Sequence, residues 1–365
     1  MVSIVLAGGG TAGHTSPLIA TAERLRAAAP SARLTCVGTP RGLESRVIPA
    51  AGLDLRMIPP VPLPRRLSVD LLSVPNRLRK AVGEARAILD EVHADVVVGF
   101  GGYVALPVYL AARGRGTPVI LHEQNALPGL ANRIASRFAA ITAVSFPDTP
   151  LPRARYVGLP IRAAIAALDR ASDRKAARAA LGFSGERPLL LVSGGSQGAR
   201  SINDALAGAR DDLLAADVDV LHVLGPNNLT DAHTEVVAEG TGARYRPVAY
   251  VDAMEQAYAA ADLMVCRSGA ATVMETATVG LPGIFVPFPH GNGEQARNVQ
   301  FLIDHDAGVR ISDQALTANR LLIEVVALIG DEPRLAQMSA RCAAVVPRDA
   351  AAALADLVLG RTEQR

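Results

Sequence analysis

The sequence predicts an α/β protein of two Rossmann-like domains with parallel sheets, and three observations carry that expectation. Short apolar runs of β type alternate with Ala/Leu/Arg-rich helical stretches along the whole chain, the pattern of parallel strands joined by helical crossovers. A strand, a glycine loop and an amphipathic helix occur at the start and again past the midpoint. The length of 365 residues exceeds one ordinary core and suits two.

The strands expected in the first half are Ser3–Ala7, Arg33–Val37, Val96–Gly99, Val119–Leu121 and Ala140–Ala143. Those in the second are Leu189–Val192, Val218–Val223, Leu263–Cys266 and Gly283–Val286. Ile4-Val5-Leu6-Ala7-Gly8-Gly9-Gly10-Thr11-Ala12-Gly13-His14 is matched by Leu189-Leu190-Leu191-Val192-Ser193-Gly194-Gly195-Ser196-Gln197-Gly198-Ala199-Arg200. After the first loop Ser16 is expected to cap a helix with Pro17 at its first position, and Leu18, Ala22, Leu25 and Ala29 follow at helical spacing. Ile202, Ala205, Leu206, Ala209 and Leu213 do the same after the second. Gly158-Leu159-Pro160-Ile161-Arg162 reads as the hinge, giving domains 1–160 and 161–346. Asp349–Leu359 reads as a final helix, and the segment 347–365 is expected to pack back on the first domain.

Composition narrows the class. Half the residues are hydrophobic, 20% are charged and the net charge is +2, a globular profile without the polyelectrolyte character of a nucleic-acid binder. Cys36, Cys266 and Cys342 are too few and too far apart for a metal site or a disulfide framework, which fits a reducing cytosol. The apolar start Met1–Ala7 lacks a basic flank and runs into glycines, so it reads as a strand and not a signal peptide. No apolar run reaches the length of a membrane span.

Gly8, Gly10 and Gly13 satisfy G-x-G-x-x-G, in which glycines admit a diphosphate to the N–H groups of a helix start. A dinucleotide site also wants an acid at the end of the second strand, which closes here in Val37-Gly38-Thr39, and has no use for a second loop in the other domain. A third glycine turn, Gly99-Phe100-Gly101-Gly102-Tyr103, follows another strand and is either a plain βα turn or part of a site. His14 stands where a histidine can act as general base, donate to phosphate or only cap the helix. His122-Glu123-Gln124-Asn125 is a polar cluster at a strand's carboxyl end, the place of a site more than of a core.

In Cys266-Arg267-Ser268-Gly269-Ala270-Ala271-Thr272-Val273-Met274-Glu275 a helix start faces a potential diphosphate, with a carboxylate two turns on that can chelate ribose hydroxyls. Glu294, Gln295 and Asn298 share one turn after Val286–Gly293 and can read sugar hydroxyls. Asp217-Val218-Asp219 and Asp304-His305-Asp306 have the D-x-D form of a metal–nucleotide site, but they fall in connections away from the expected cleft, so no metal is expected. Arg65–Lys80 mixes apolar and basic residues, as a surface helix or a patch on an anionic bilayer would.

Gly9-Gly10-Thr11-Ala12-Gly13-His14, Gly101-Gly102-Tyr103, His122–Asn125, Gly194–Arg200 and Cys266–Ala270, in this order, resemble the MurG family. These are membrane-associated N-acetylglucosaminyltransferases that convert lipid I to lipid II in bacterial peptidoglycan synthesis. The resemblance implies a GT-B fold with two Rossmann-like domains facing a cleft, UDP-GlcNAc as donor and undecaprenyl-diphosphate-MurNAc-pentapeptide as acceptor. It also implies inversion at the anomeric carbon, no metal or other cofactor, and a peripheral place on the cytoplasmic face of the cell membrane, docked through Arg65–Lys80.

By the family's motifs, Thr11, Ala12 and Gly13 line the site near the donor, while Gly9, Gly10, Gly102 and Tyr103 cradle the acceptor diphosphate. Asn125 and Arg162 contact the donor, Ser196 its diphosphate, and Val251 holds uracil through its backbone. Ala270, Ala271, Thr272, Val273, Met274 and Glu275 take diphosphate and ribose, and Gln295 takes the GlcNAc hydroxyls. His14 is the base expected to deprotonate the muramyl 4-hydroxyl, or else a ligand of the acceptor diphosphate. The chain departs from the family pattern at Ala12 (often Gly), Leu159 (often Asn) and Glu294 (often Gln). Other readings are a different GT-B enzyme, such as a natural-product glycosyltransferase or a UDP-GlcNAc 2-epimerase, and a non-catalytic nucleotide-sugar sensor.

Overall fold

The computed structural model describes residues 1–61, 73–183, 185, 187–195 and 197–363. The chain divides into two compact units, one of Met1–Arg162 with the segment from Asp349 onward, the other of Ala163–Arg348.

In the first unit the strands are β1 (Ser3–Ala7), β2 (Arg33–Gly38), β3 (Asp54–Met57), β4 (Val96–Gly99), β5 (Val119–Glu123), β6 (Ile141–Val144) and β7 (Ala154–Tyr156). They form one parallel sheet in the order β3-β2-β1-β4-β5-β6-β7. Its helices are α1 (Ala12–Ala28), α2 (Glu44–Ala50), α3 (Val74–Glu91), α4 (Gly102–Arg115) and α5 (Leu130–Ala135). Alternation along β1 builds both cores: Ile4 and Leu6 pack with Leu18, Leu25 and Leu354 on one face, Val5 and Ala7 with Leu89, Val104 and Val108 on the other. The C-terminal helix Ala350–Glu363 lies against α1.

In the second unit β8 (Leu189–Ser193), β9 (Asp219–Val223), β10 (Val236–Val237), β11 (Arg244–Val248), β12 (Leu263–Cys266), β13 (Gly283–Phe285) and β14 (Val309–Arg310) pair in the order β10-β11-β9-β8-β12-β13-β14. Only β10 runs antiparallel among these strands. The helices are α6 (Ala163–Ala166), α7 (Arg170–Ala180), α8 (Arg200–Ala215), α9 (Met254–Ala260), α10 (Ala270–Thr278), α11 (Glu294–Asp304), α12 (Ala318–Ile329) and α13 (Glu332–Val345). Leu190 and Val192 pack against Ile202, Leu206, Leu213, Leu321 and Val325.

Every strand expected from the sequence is present, with ends moved by a residue or two. Those not foreseen are β3, β7, β10, β11 and β14: β10 has two residues, β14 two and β7 three, and β3, β7, β11 and β14 carry charged residues. One start is corrected: α1 begins at Ala12 with Thr11 as N-cap, so Ser16 caps nothing and Pro17 sits inside the helix. Pro17 is tolerated there, within the second turn, and its side chain is buried.

Leu191, wholly buried on β8, tests the packing. Leu191→Ala is expected to cost the second unit about 2–5 kcal/mol, read as a lower urea midpoint for that unit; an unchanged midpoint would contradict it.

Candidate active site

In each unit the strand order reverses about its first strand, which puts two strand-to-helix turns side by side at the carboxyl ends. In the first unit Ala7 pairs with Gly99, and Phe100 N–H donates to Ala7 O at 2.8 Å. Gly8–Thr11 therefore lies beside Gly101–Tyr103. The contact admits no side chain: a Cβ on Gly102 (φ 79°) would stand 2.5 Å from Gly9 O. Gly9 is buried, whereas Gly10, Thr11, Ala12 and Gly13 are exposed. Tyr103 is 47% exposed at the start of α4.

His14 is held on α1 by a 2.9 Å hydrogen bond between Nδ1 and Thr11 Oγ1. Its Nε2 edge faces the turn, 3.5 Å from where a Cβ of Gly101 would be. Burial pushes the imidazole down to about 4, partly opposed by the negative charge of Glu44. Glu44 is a residue that motif reading misses. It opens α2, is wholly buried, and accepts from Gly10 N–H (2.8 Å), Thr39 N–H (3.0 Å) and the Thr39 hydroxyl (2.8 Å). Burial drives its pKa up, yet the donors from Gly10, its own backbone and Thr39 outweigh that and hold the carboxyl below its ordinary value. The acid absent from the end of β2 thus arrives six residues past Gly38, turned into the protein.

The polar cluster at the end of β5 also turns inward. His122, Glu123 and Gln124 are buried, and Asn125 is partly so. His122 Nε2–H donates to Gly158 O at 2.9 Å, and its Nδ1 accepts from Gln124 at 3.1 Å. Glu123 accepts from Asn125 N–H, Gly129 N–H and Asn132 Nδ2, and Asn132 Oδ1 accepts from the buried Tyr109 hydroxyl. Burial raises the Glu123 pKa despite these donors. Three of the four residues are thus scaffold, fixing Asn125 and the turn at Gly101 from below. Arg162 is exposed at the end of the unit. Leu159 is buried.

In the second unit Cys266 pairs with Ser193, so Gly194–Ala199 lies beside Arg267–Gly269. Gly198 (φ 74°) packs so closely that a Cβ would stand 2.0 Å from Leu224 O, and Asn228 Nδ2 ties Gln197 O to the same place at 3.1 Å. The two turns line a cleft of about 580 Å³ with Arg200, Ser201, Thr272, Phe288, His290, Gln295 and Asp313. Helices α8 and α10 enter it with N-caps Ala199 and Gly269 that provide no side-chain acceptor. Helices α7, α12 and α13, by contrast, are capped by Asp169, Thr317 and Asp331. Uncapped starts leave N–H groups and positive dipole for an anion.

Gln295 projects into the cleft and accepts from Phe288 N–H at 3.0 Å. Glu275 accepts from the Tyr258 hydroxyl at 2.8 Å. Ala271 and Thr272 are partly exposed on α10, but the Val273 and Met274 side chains are core, so their part in any site is limited to backbone. Val251 is partly buried in the loop after β11. Ser196 lies outside the described residues. Sequence reasoning gave no role to Arg267 or Asp313. Arg267 pairs with Asp313 at 2.5 Å, donates to Ser201 Oγ at 2.9 Å and lies over the Phe288 ring. Arg267 was visible inside its motif; Asp313, in a polar turn far along the chain, left no signal. Of the D-x-D acids, Asp219 accepts from Arg244 N–H at the start of β9, and Asp217 and Asp306 pair with Arg187 and Arg341.

Both halves match models of glycosyltransferase family 28, its N-terminal domain over residues 4–144 and its C-terminal domain over 189–354. A Cutibacterium acnes protein, UDP-N-acetylglucosamine–N-acetylmuramyl-(pentapeptide) pyrophosphoryl-undecaprenol N-acetylglucosamine transferase, is 58% identical over 98% of this chain and 97% of its own. A Nocardioides protein of the same name is 55% identical over 98% and 97%. The crystal structure of Acinetobacter baumannii MurG superposes with a TM-score of 0.79 at 27% identity, covering 99% of this chain and 100% of that one. The kitacinnamycin glycosyltransferase (TM-score 0.70, 16% identity, 99% and 98% covered) shares the fold. Fold and motifs define a glycosyltransferase of the two-domain GT-B class. The chain belongs to family 28 and, within it, to the MurG family of N-acetylglucosaminyltransferases.

Three histidines with lowered pKa weaken the fold in acid. Burial holds His14 and His122 down to about 4 and His222 to about 3, all below the ordinary value near 6.5. Below pH 6.5 the unfolded chain therefore binds protons that the folded chain refuses, so these groups withdraw stability as pH falls from about 6.5 to about 4. The wholly buried His122 alone accounts for on the order of 3 kcal/mol. A melting temperature that stays flat across this window would contradict the reading.

Proposed function

We propose that the protein transfers GlcNAc from UDP-GlcNAc to the muramyl 4-hydroxyl of lipid I, with inversion, giving lipid II. Family membership at 50–58% identity supports the reaction, and one observation carries the division of labour: each unit has one glycine turn pair at its switch point, differently furnished. The second unit takes the donor. Its cleft offers the uncapped starts of α8 and α10 and Arg200 to the diphosphate, and Gln295 to the sugar. Glu275 serves the ribose, and the Val251 backbone serves the uracil. Asn125 and Arg162 reach the donor from the first unit's sequence, as in the family pattern.

The first unit takes the acceptor, its diphosphate resting on the N–H groups at the start of α1 and around Gly102 and Tyr103. His14 is the base. That role needs the tautomer in which Nδ1–H donates to Thr11 Oγ1, leaving Nε2 to take the proton of the muramyl hydroxyl as it attacks the anomeric carbon. Burial keeps the imidazole neutral near pH 7, and the arriving diphosphate dianion favours its protonated form as the reaction proceeds. Backbone N–H groups stabilise the departing UDP, so no metal is needed.

The enzyme acts at the cytoplasmic face of the cell membrane as a peripheral protein. Among the described residues no helix is long and apolar enough to cross a bilayer. The docking patch is the basic, apolar stretch Arg65–Lys80, of which 65–72 lie outside the described residues; Arg79 and Lys80 are exposed on α3.

Labelled UDP-GlcNAc incubated with a short-chain lipid I analogue in EDTA is expected to yield the disaccharide. His14→Ala should lower kcat by about 10²–10⁴-fold with the KM for UDP-GlcNAc unchanged. Binding of UDP-GlcNAc without transfer to any lipid diphosphate would favour a sensor, and full turnover by His14→Ala would remove His14 from the chemistry.

A further inference from the structure

A wholly buried carboxylate takes no step in the reaction just described, yet it ties the first glycine turn to the end of β2. The Glu44 oxygens collect donors from Gly10 on the β1 turn and from Thr39 beyond β2. Three glycines leave the carboxylate its room. A Cβ on Gly9 would stand 2.4 Å from Glu44 Cδ, one on Gly42 2.0 Å from Oε2, and one on Gly38 2.7 Å from Cγ. The N–H that a Rossmann turn ordinarily turns toward a bound anion is therefore given to an internal one.

We propose that Glu44 is the positioning residue of the first glycine turn: a built-in anion that fixes Gly10, and through it Thr11 and His14, while setting a negative charge that favours the imidazolium His14 becomes on taking the acceptor proton. This rests on the reading of His14 as the base. It also explains why this turn, though it spells G-x-G-x-x-G, is closed to a dinucleotide: its inner donor is occupied and its acid faces away from any ribose. The substrate diphosphate is left with the outer N–H groups at the start of α1 and the turn at Gly102.

The surroundings of His14 support the charge effect. The turn at Gly101 and the Asn132 amide on α5 lie near the ring and carry no charge, and among the described residues Glu44 is the charged group that acts on His14. In this the carboxylate resembles the buried acid behind a catalytic histidine, but it acts across the loop backbone and not by direct contact.

The test uses the full chain, labelled UDP-GlcNAc and a short-chain lipid I analogue near neutral pH, with Glu44→Gln, Glu44→Asp and His14→Ala side by side. Glu44→Gln is expected to lower kcat about tenfold or more while the KM for UDP-GlcNAc stays within about twofold. Its His14 ring, followed by NMR titration, should protonate at lower pH than in the parent, because the opposing charge is gone. Glu44→Asp keeps the charge but retreats from Gly10; it should recover the His14 titration and only part of kcat.

A Glu44→Gln enzyme with parental kcat and His14 titration overturns the proposal. If that variant does not fold, Glu44→Asp decides: parental kcat, or an equal loss of UDP-GlcNAc affinity, overturns it as well. His14→Ala separates the two readings. Full turnover there defeats the assignment of the base, whereas an inactive His14→Ala beside a fully active Glu44→Gln defeats only the proposal for Glu44.

Discussion

A chain that leaves a central parallel strand and turns at once into a helix has N–H groups to satisfy at a place too crowded for side chains, and both units are organised around that difficulty. Gly102 lies on Gly9 O, Gly198 on Leu224 O, and Gly194 on the Ala199 N–H, each closer than any Cβ permits. The close approach in turn fixes neighbouring loops to one another. With regular secondary structure unable to supply an acceptor at the end of β1 or β8, the N–H groups must find an internal anion, water or a ligand.

The two units meet that demand differently, and the proposed division between acceptor and donor rests on that difference. In the first, protein atoms fill the inner positions. Glu44 takes Gly10, while Tyr109, Asn132 and Glu123 form a buried chain under the neighbouring turns. What remains outward is Gly10–Gly13, exposed, beside the partly buried His14. In the second, Gly195 N–H bonds to Ser193 Oγ at 3.3 Å and Gly198 N–H to Gly195 O at 2.9 Å, and the turn lines a cleft whose wall cation, Arg267, is partly neutralised by Asp313. A cation so paired orders the wall but attracts a diphosphate weakly, which leaves Arg200 and the uncapped helix starts as the chief anion attractors.

Much of this was legible in the sequence, for a physical reason. The inner strands β1, β4, β5, β8 and β12 are covered on both faces, so each carries a short apolar run bounded by turn residues. The outer strands β3, β7, β11 and β14 carry charged residues and β10 is only two residues long, so nothing local distinguishes them from loops. The glycine turns were legible because only glycine fits there. The inward turn of His122, Glu123 and Gln124 was not, because polar residues at a strand's end look alike whether they face a ligand or a neighbouring backbone. Glu44 and Asp313 were hidden for a related reason: the partner that ties each to its turn lies across the fold, with Gly10 34 residues from Glu44 and Arg267 46 residues from Asp313.

The central claim is that each glycine turn serves one substrate, and amide hydrogen exchange tests it most directly. Saturating UDP-GlcNAc is expected to slow exchange in 194–200 and 267–273 and leave 8–10 and 101–103 unchanged, whereas a short-chain lipid diphosphate sugar should do the reverse. Protection of 8–10 by UDP-GlcNAc alone, with none at 194–200, would contradict it.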